Sequence, residues 1–159
     1  MAFYQLYREQ QIPATKDEVW DFVSSPANLK KITPGHMGFE ITSGMPVGKM
    51  YEGMIISYKV SPFAGIKMTW VTEITHIKEK SYFVDEQRIG PYRMWHHEHI
   101  LEEIEQGVLM KDIISYVFPM GFLGRMANGI IIKKQLNAIF LHRFQAVERI
   151  FEQYKSKRL

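Results

Sequence analysis

Two histidines and one aspartate are the residues in this sequence best suited to acid–base chemistry. His97 and His99 stand two positions apart in a stretch with strand-like composition, and Asp112 lies in the next such stretch. Side chains two apart on a strand share a face, with about 7 Å between their origins. An imidazole beside a carboxylate can move a proton near neutral pH, so these three residues are candidate catalytic groups. Tyr116 is a fourth candidate, because its hydroxyl could stabilise a developing oxyanion.

The same histidines could instead hold a metal ion, with Asp112 as the third ligand. Such a centre needs three well-placed ligands and an open coordination position. Two histidines beside one carboxylate more commonly form a buried polar group with satisfied hydrogen bonds, so we expect neither a metal nor another cofactor. Covalent catalysis is not expected either, because the chain has no cysteine and no Gly-x-Ser-x-Gly motif.

The turn between these two stretches predicts how the side chains meet. A tight turn centred between Glu105 and Gln106 sets a register in which the histidines, Asp112 and Tyr116 share one face. The opposed pairs are then Leu101 and Met110, His99 and Asp112, His97 and Ile114, and Trp95 and Tyr116. We therefore expect His99 and Asp112 to form a charge-assisted pair on the inner side of the sheet.

The rest of the sequence predicts the elements that hold these residues. Phe3 to Gln11 alternates as a strand does, Thr15 to Glu18 forms a capping box that begins a short helix, and Ala27 to Ile32 forms another. Six further stretches have strand character and are separated by short turns that suit antiparallel hairpins. They span residues 37–43, 50–60, 66–77, 80–89, 92–104 and 108–118.

Residues 122–154 predict one long C-terminal helix with a single apolar face. The residues expected to be buried on this face include Leu136, Phe140, Phe144 and Val147. Gln145 and Arg149 fall on the opposite side and should be exposed. Lys133 falls near the middle of the apolar face beside Gly129, so we expect the helix to bend there or the lysine to reach a carboxylate or solvent.

Composition limits the classes of protein that this chain can represent. Its 159 residues, of which 46% are hydrophobic, predict a single domain spanning 1–159. The net charge is +3, but the basic residues are scattered among acidic ones, which argues against a nucleic-acid partner. The absence of cysteine fits a reducing compartment, and no apolar run is long enough for integral membrane association. We expect a cytoplasmic protein.

Four segments carry a resemblance to a known family. They read Ile12-Pro-Ala-Thr-x-x-Glu-Val-Trp-x-Phe22, Pro26-x-Asn-Leu-x-x-Ile-Thr-Pro34, Gly90-Pro-Tyr-Arg-x-Trp-x-His-x-His99 and Asp112-x-x-x-Tyr-x-x-Pro-x-Gly-x-x-Gly124. Over essentially its whole length the chain resembles the SRPBCC superfamily, also called START-like, helix-grip or major-pollen-allergen-like, which includes polyketide cyclase/dehydrase-like proteins. The resemblance implies an α+β helix-grip fold. In that fold a curved antiparallel sheet of about seven strands, with two short helices after strand 1, wraps a long C-terminal helix over a hydrophobic cavity.

Strand alternation indicates which side chains face that cavity. In the sixth strand, the set containing Arg93, Trp95 and the histidines should face inward, and the set containing Tyr92 and Glu98 should face outward. Phe39 and Ile41 are also placed on the inner face. The residues expected to contact a ligand are Met54, Ile56, Tyr58, Met68, Trp70, Phe83, Trp95, His97, Tyr116, Phe118, Met126, Leu136 and Phe140.

Three functional hypotheses remain open from the sequence. The first is a protein that binds a small hydrophobic molecule, lipid-like or aromatic and polyketide-like, in the cavity. The second is an enzyme of the cyclase/dehydratase or hydrolase type that uses His97 or His99 with Asp112 as acid–base groups. The third is a protein-interaction module, which would show a large exposed apolar patch in place of a cavity.

Overall fold

The computed structural model describes residues 2–44, 48–63, 65–119 and 131–156. These residues form seven strands and three α-helices, with single 3₁₀ turns at Pro26–Asn28 and Gly35–Met37. In chain order the elements are β1 (Tyr4–Ile12), α1 (Lys16–Val23), α2 (Leu29–Ile32), β2 (Glu40–Ile41), β3 (Ile55–Phe63), β4 (Ile66–Lys78), β5 (Tyr82–Ile89), β6 (Met94–Ile104), β7 (Gly107–Val117) and α3 (Lys133–Ser156). The predicted α+β helix-grip class is confirmed. Strand β2 is shorter than the predicted 37–43, since a 3₁₀ turn occupies its first part.

The seven strands form one antiparallel sheet in the order β1-β7-β6-β5-β4-β3-β2. The first strand returns to pair with the last, so the hairpin of β6 and β7 lies inside the sheet. Register shifts occur between Val60 and Phe63 in β3, and at two places in β4. Such irregularities bend a strand and increase its twist, which lets the sheet curve around a helix.

The hairpin of β6 and β7 has the register that the turn predicts. Trp95 pairs with Tyr116 and His99 with Asp112. Gly107 begins β7 with a φ of 139°, and a Cβ placed on it would lie 2.1 Å from the carbonyl oxygen of Ile12. Only glycine fits this combination of positive φ and close backbone approach. The glycine thus allows β1 to lie close against the start of the strand that carries Asp112.

Helix α1 begins with the expected capping box. The backbone amide of Glu18 donates to Thr15 Oγ1 at 3.4 Å, and the Thr15 amide donates to the Glu18 carboxylate at 2.9 Å. The helix buries one apolar face. On that face the ring of Trp20 meets Phe83 of β5 edge-on, with 6.2 Å between centroids. This contact packs α1 against the sheet.

Helix α3 buries Leu136, Phe140 and Val147, and it exposes Gln145 and Arg149, as predicted. Phe144 was expected to be buried, but 38% of it is exposed, because it lies at the edge of the apolar face beside a second cavity. Lys133 is exposed in the first turn, so its charge is not buried. Neither α3 nor any other helix among the described residues combines the length and apolarity of a membrane span. Phe122, Met126 and Gly129 lie outside the described residues.

The interior contains two groups of packed side chains. Within the first group, a set of residues that are at most 2% exposed forms what we call the packed end: Ile12, Val19, Trp20, Val108, Val147 and Phe151. The other group, which we call the aromatic end, lies under the first half of α3 and contains Trp70, Tyr92, Trp95, Tyr116, Leu136 and Phe140. Helix α3 spans both, so its two halves have different neighbours.

Candidate functional site

A cavity of about 150 Å³ lies between the sheet and α3. Most of the lining side chains are apolar, and strands β3 to β6 and helices α2 and α3 contribute the majority of them. Eight residues predicted to contact a ligand line it: Ile56, Tyr58, Trp70, Phe83, Trp95, His97, Leu136 and Phe140. The cavity therefore lies where the helix-grip fold leads one to expect a ligand.

Four other predicted contact residues are not among the described residues that line this cavity. Met54 is buried in the group that contains the packed end. Met68 is half-buried near the register shift in β3. Tyr116 packs against Tyr92 and Trp95, and Phe118 packs on Tyr92, so their rings fill the core beside the cavity. Met126, the thirteenth, lies outside the described residues.

Several cavity residues were not predicted. Leu29 and Ile32 come from α2, and Ile139 and Arg143 come from the helix face beside Phe140. Asp85 is the most important of them, because it brings a carboxylate to the cavity wall. It follows Phe83 by two positions in β5, so strand alternation from Phe83 would have placed it on the inner face.

The two histidines and two aspartates form one buried cluster. Asp112 Oδ1 lies 2.9 Å from His97 Nε2 and 3.0 Å from His99 Nδ1. Asp85 Oδ2 lies 2.9 Å from His99 Nε2 and 3.4 Å from His97 Nδ1. The expected contact between His99 and Asp112 is present, but each histidine lies between both carboxylates. Only Asp85 keeps appreciable exposure, at 16% of its side chain.

The ring packing of the histidines fixes their orientation. The imidazoles of His97 and His99 lie 3.7 Å apart between centroids, with their planes inclined by 39°. Phe83 stacks on His99 at 4.1 Å, and Phe140 meets His97 edge-on at 5.5 Å. Rings held from several sides cannot turn to other partners without disturbing the core.

Burial and mutual charge shift the pKa values of the cluster in opposite directions. Burial and the nearby positive charge of His99 lower the pKa of His97 to about 4. Burial acts against the charged form of His99 as well, but hydrogen bonds with Asp112 and Asp85 raise its pKa above the usual value. Although burial opposes ionisation, the two histidines hold the pKa of Asp112 well below its usual value. The cluster therefore favours ionised carboxylates beside a single charged imidazole.

The burial of the two residues that precede β6 differs from the prediction. Tyr92 is buried and Arg93 is exposed, the reverse of what strand alternation indicated. Both residues precede the first residue of β6, Met94. The Gln87 side chain donates to the Tyr92 carbonyl at 2.6 Å and accepts from its amide at 3.2 Å. These bonds give the connection its own geometry, so the alternation does not extend into it.

Trp70 contains a buried polar atom without a hydrogen-bond partner among the described residues. Its indole is 8% exposed and lines the cavity, and its Nε1–H has no hydrogen-bond partner among the described residues. A buried donor without a partner costs about 1 to 3 kcal/mol. A ligand with an acceptor at this position would remove that cost.

A second cavity, of about 230 Å³, lies between α3 and strands β1 and β7. Arg8, Gln10, Asp112 and Phe144 are among its lining residues. Phe140 and Arg143 line this cavity as well as the first one. Side chains of α3 thus border both spaces.

The fold is shared with solved structures of low sequence identity. An uncharacterized protein from Rhizobium leguminosarum is 14% identical, with a TM-score of 0.68 over 93% of this chain and 96% of that one. A protein from Chromobacterium violaceum is 11% identical, with a TM-score of 0.70 over 93% and 97%. Major latex-like protein 151 from Panax ginseng is 14% identical, with a TM-score of 0.69 over 95% and 99%. At these identities the likeness concerns the fold alone.

Sequence comparison identifies the family. No match was found among curated proteins. A family model described as polyketide cyclase / dehydrase and lipid transport matches residues 12–140. The matched span includes Asp85, both clustered histidines and Asp112, and the match confirms the resemblance to the SRPBCC superfamily. The chain therefore belongs to the polyketide cyclase/dehydrase and lipid transport family.

Proposed function

We propose that this protein binds a small, mainly apolar molecule in the cavity between the sheet and α3. The observation that carries the proposal is the cavity itself, a mainly apolar space of about 150 Å³ that Phe140 and Leu136 help to line. Membership of a family described by lipid transport and polyketide chemistry supports it. An apolar interior space of this kind favours uptake of an apolar ligand, because burial removes the ligand's surface from water.

The size and the polar atoms of the cavity narrow the ligand class. A cavity of about 150 Å³ is large enough for a molecule of the size of benzene. The unpartnered Nε1–H of Trp70 calls for a hydrogen-bond acceptor on the ligand. The ligand that fits best is a compact aromatic or short acyl compound with one carbonyl or ether oxygen.

Native mass spectrometry of gently purified protein tests the proposal. We expect a reproducible adduct of one small apolar compound, which extraction and fragmentation would identify. Tryptophan fluorescence should then show saturable quenching by that compound, because Trp70 and Trp95 both line the cavity. Absence of an adduct, together with no saturable binding of lipids or aromatic ketones, would contradict the proposal.

A matched pair of ligands tests the role of Trp70. An aryl ketone and the corresponding aryl alkane differ in one acceptor oxygen, and calorimetry gives the ratio of their affinities. The wild-type protein should prefer the ketone, and Trp70→Phe should remove that preference, since phenylalanine has no N–H donor. Phe140→Leu is the control: it changes the apolar lining, so both affinities should fall while their ratio is kept. An unchanged ratio in Trp70→Phe would refute the hydrogen bond.

The position of the cluster favours an enzyme as a second candidate. Asp85, His97 and His99 all line the cavity, so a bound ligand would lie against them. The reaction would be of the cyclase/dehydratase or hydrolase type, with the two histidines in contact with substrate. Incubating the extracted ligand with protein and following its mass tests this candidate. Recovery of unchanged ligand after long incubation would leave binding as the function.

A further inference from the structure

Three potential ligand atoms converge at the cavity wall. Asp85 Oδ2 lies 2.9 Å from His99 Nε2 and 3.4 Å from His97 Nδ1. One ligand atom from each of these residues lies within 4.8 Å of the other two. Ligands at about 2.0 to 2.2 Å from a metal ion stand about 2.9 to 3.5 Å apart in octahedral or tetrahedral geometry. The two distances to Asp85 already match the edges of such a coordination shell.

Asp112 occupies the position of a supporting carboxylate. Its Oδ1 contacts His97 Nε2 at 2.9 Å and His99 Nδ1 at 3.0 Å, the ring nitrogens on the far side from Asp85. Histidines that bind metals commonly donate their other N–H group to a carboxylate, which fixes the tautomer and the ring plane. When both imidazoles are neutral and direct their N–H groups to Asp112, the lone pairs of His97 Nδ1 and His99 Nε2 face Asp85.

Two lone pairs and a carboxylate that face one another repel unless a cation lies between them. We propose that Asp85, His97 and His99 bind a divalent transition-metal ion of the zinc or iron(II) class, with Asp112 as the positioning residue. Two imidazoles and one carboxylate are a ligand set that these ions favour. Because all three residues line the cavity, a metal ion held by them would lie at the wall of the space where a ligand would bind. The inference does not depend on the proposed binding of an apolar molecule.

Two other cations compete for the same location. A proton on His99 would satisfy Asp85 and Asp112 together, in which case the cluster would be a charged network without a metal. Arg143 lines the same cavity and acts on Asp85 through its charge. The experiment must therefore separate metal binding from protonation.

The test uses untagged wild-type protein that has been treated with a chelator and titrated with Zn²⁺ alone at constant pH. We expect one ion per chain by calorimetry, and Co²⁺ should give the visible absorption of a site with nitrogen ligands. Asp112→Asn should weaken Zn²⁺ binding by about 10- to 100-fold, as loss of a supporting carboxylate does elsewhere. Asp85→Asn should weaken it more, because a ligand is lost. His76→Gln is the matched control, since His76 is an exposed histidine of β4 and should leave the affinity unchanged.

A measurement on the wild-type protein avoids dependence on the folding of these variants. In protein labelled with ¹⁵N at histidine, Zn²⁺ should shift the ring nitrogen signals of two of the six histidines, His97 and His99. Removing the competing charge with Arg143→Gln should tighten binding. The proposal is overturned if Zn²⁺ and Co²⁺ show no saturable binding of one equivalent. It is also overturned if Zn²⁺ shifts only exposed histidines, or if folded Asp85→Asn binds as wild type does.

Discussion

The two ends of the interior differ in how completely their side chains are packed and hydrogen-bonded. At the packed end Val108, Val147 and Phe151 are at most 1% exposed. Under the first half of α3, Trp70 holds an unpartnered donor and Phe140 borders two cavities. Both ends are apolar and contact the same helix. Apolar composition alone therefore does not distinguish a stabilising core from a binding space, and the difference lies in packing.

This difference predicts that the two halves of α3 contribute differently to stability and to ligand affinity. Fully packed residues contribute both transfer and packing free energy, so their loss is costly. Residues beside a cavity already lack part of their packing, and a ligand can restore it. Substitutions at the packed end should therefore change stability, and substitutions at the aromatic end should change ligand affinity more than stability.

The largest expected effect compares two phenylalanines of α3. Phe151→Ala should lower the free energy of unfolding by about 3 to 5 kcal/mol, because the ring is enclosed and packs on Phe22 at 5.6 Å. Phe140→Ala should cost less than the lower end of that range, since its ring borders two cavities. Urea denaturation of both variants measures the difference. Equal losses in the free energy of unfolding would contradict the distinction between the two ends.

A smaller loss is expected at the hairpin that joins β6 to β7. Gly107→Ala should cost roughly 1 to 3 kcal/mol for its backbone conformation, with a further cost from the clash with Ile12. Because Ile12 and Val108 belong to the packed end, the change should loosen the contact of β1 with β7. Hydrogen exchange should then quicken at the paired residues of β1. If the variant were as stable as the wild-type protein, the backbone would be able to move away from Ile12 at little cost, and the prediction would be wrong.

Filling the cavity should have the smallest effect on stability and the opposite sign. Val60 is buried in β3 and lines the cavity, so Val60→Phe can extend its ring into open space. Filling such a space commonly raises stability by about 0.5 to 2 kcal/mol. The variant should also lose affinity for the apolar ligand, measured by displacement of a fluorescent probe. A destabilised variant with unchanged affinity would place the ligand elsewhere.

The register of the β6–β7 hairpin could be predicted because a single short turn fixes it. Once the turn is centred between Glu105 and Gln106, every opposed pair follows, including His99 with Asp112. The capping box at Thr15 was predictable for a similar reason, since it depends only on residues three positions apart. These features are local in sequence, and that is why pattern alone determines them.

The remaining features depend on long-range packing. Tyr92 and Arg93 were misplaced because Gln87, from the preceding strand, shapes the connection between β5 and β6. Phe144 lies close to the apolar face of α3, and only the position of β1 and β7 decides that it stays partly exposed. The cavity depends on how far the side chains fill the space between sheet and helix. No periodicity in the sequence reports that volume.

Phe140 and Arg143 border both cavities, and this sets how the protein can respond to ligands of different length. Where side chains are the boundary between two spaces, its position depends on their rotamers and not on the backbone. Turning a side chain away from its preferred rotamer costs of order 0.5 to 1.5 kcal/mol, far less than moving a strand. If the protein binds an apolar molecule as proposed, the capacity of its interior would change in steps: a short ligand would occupy one cavity, and a longer one would displace these two side chains and extend into the next.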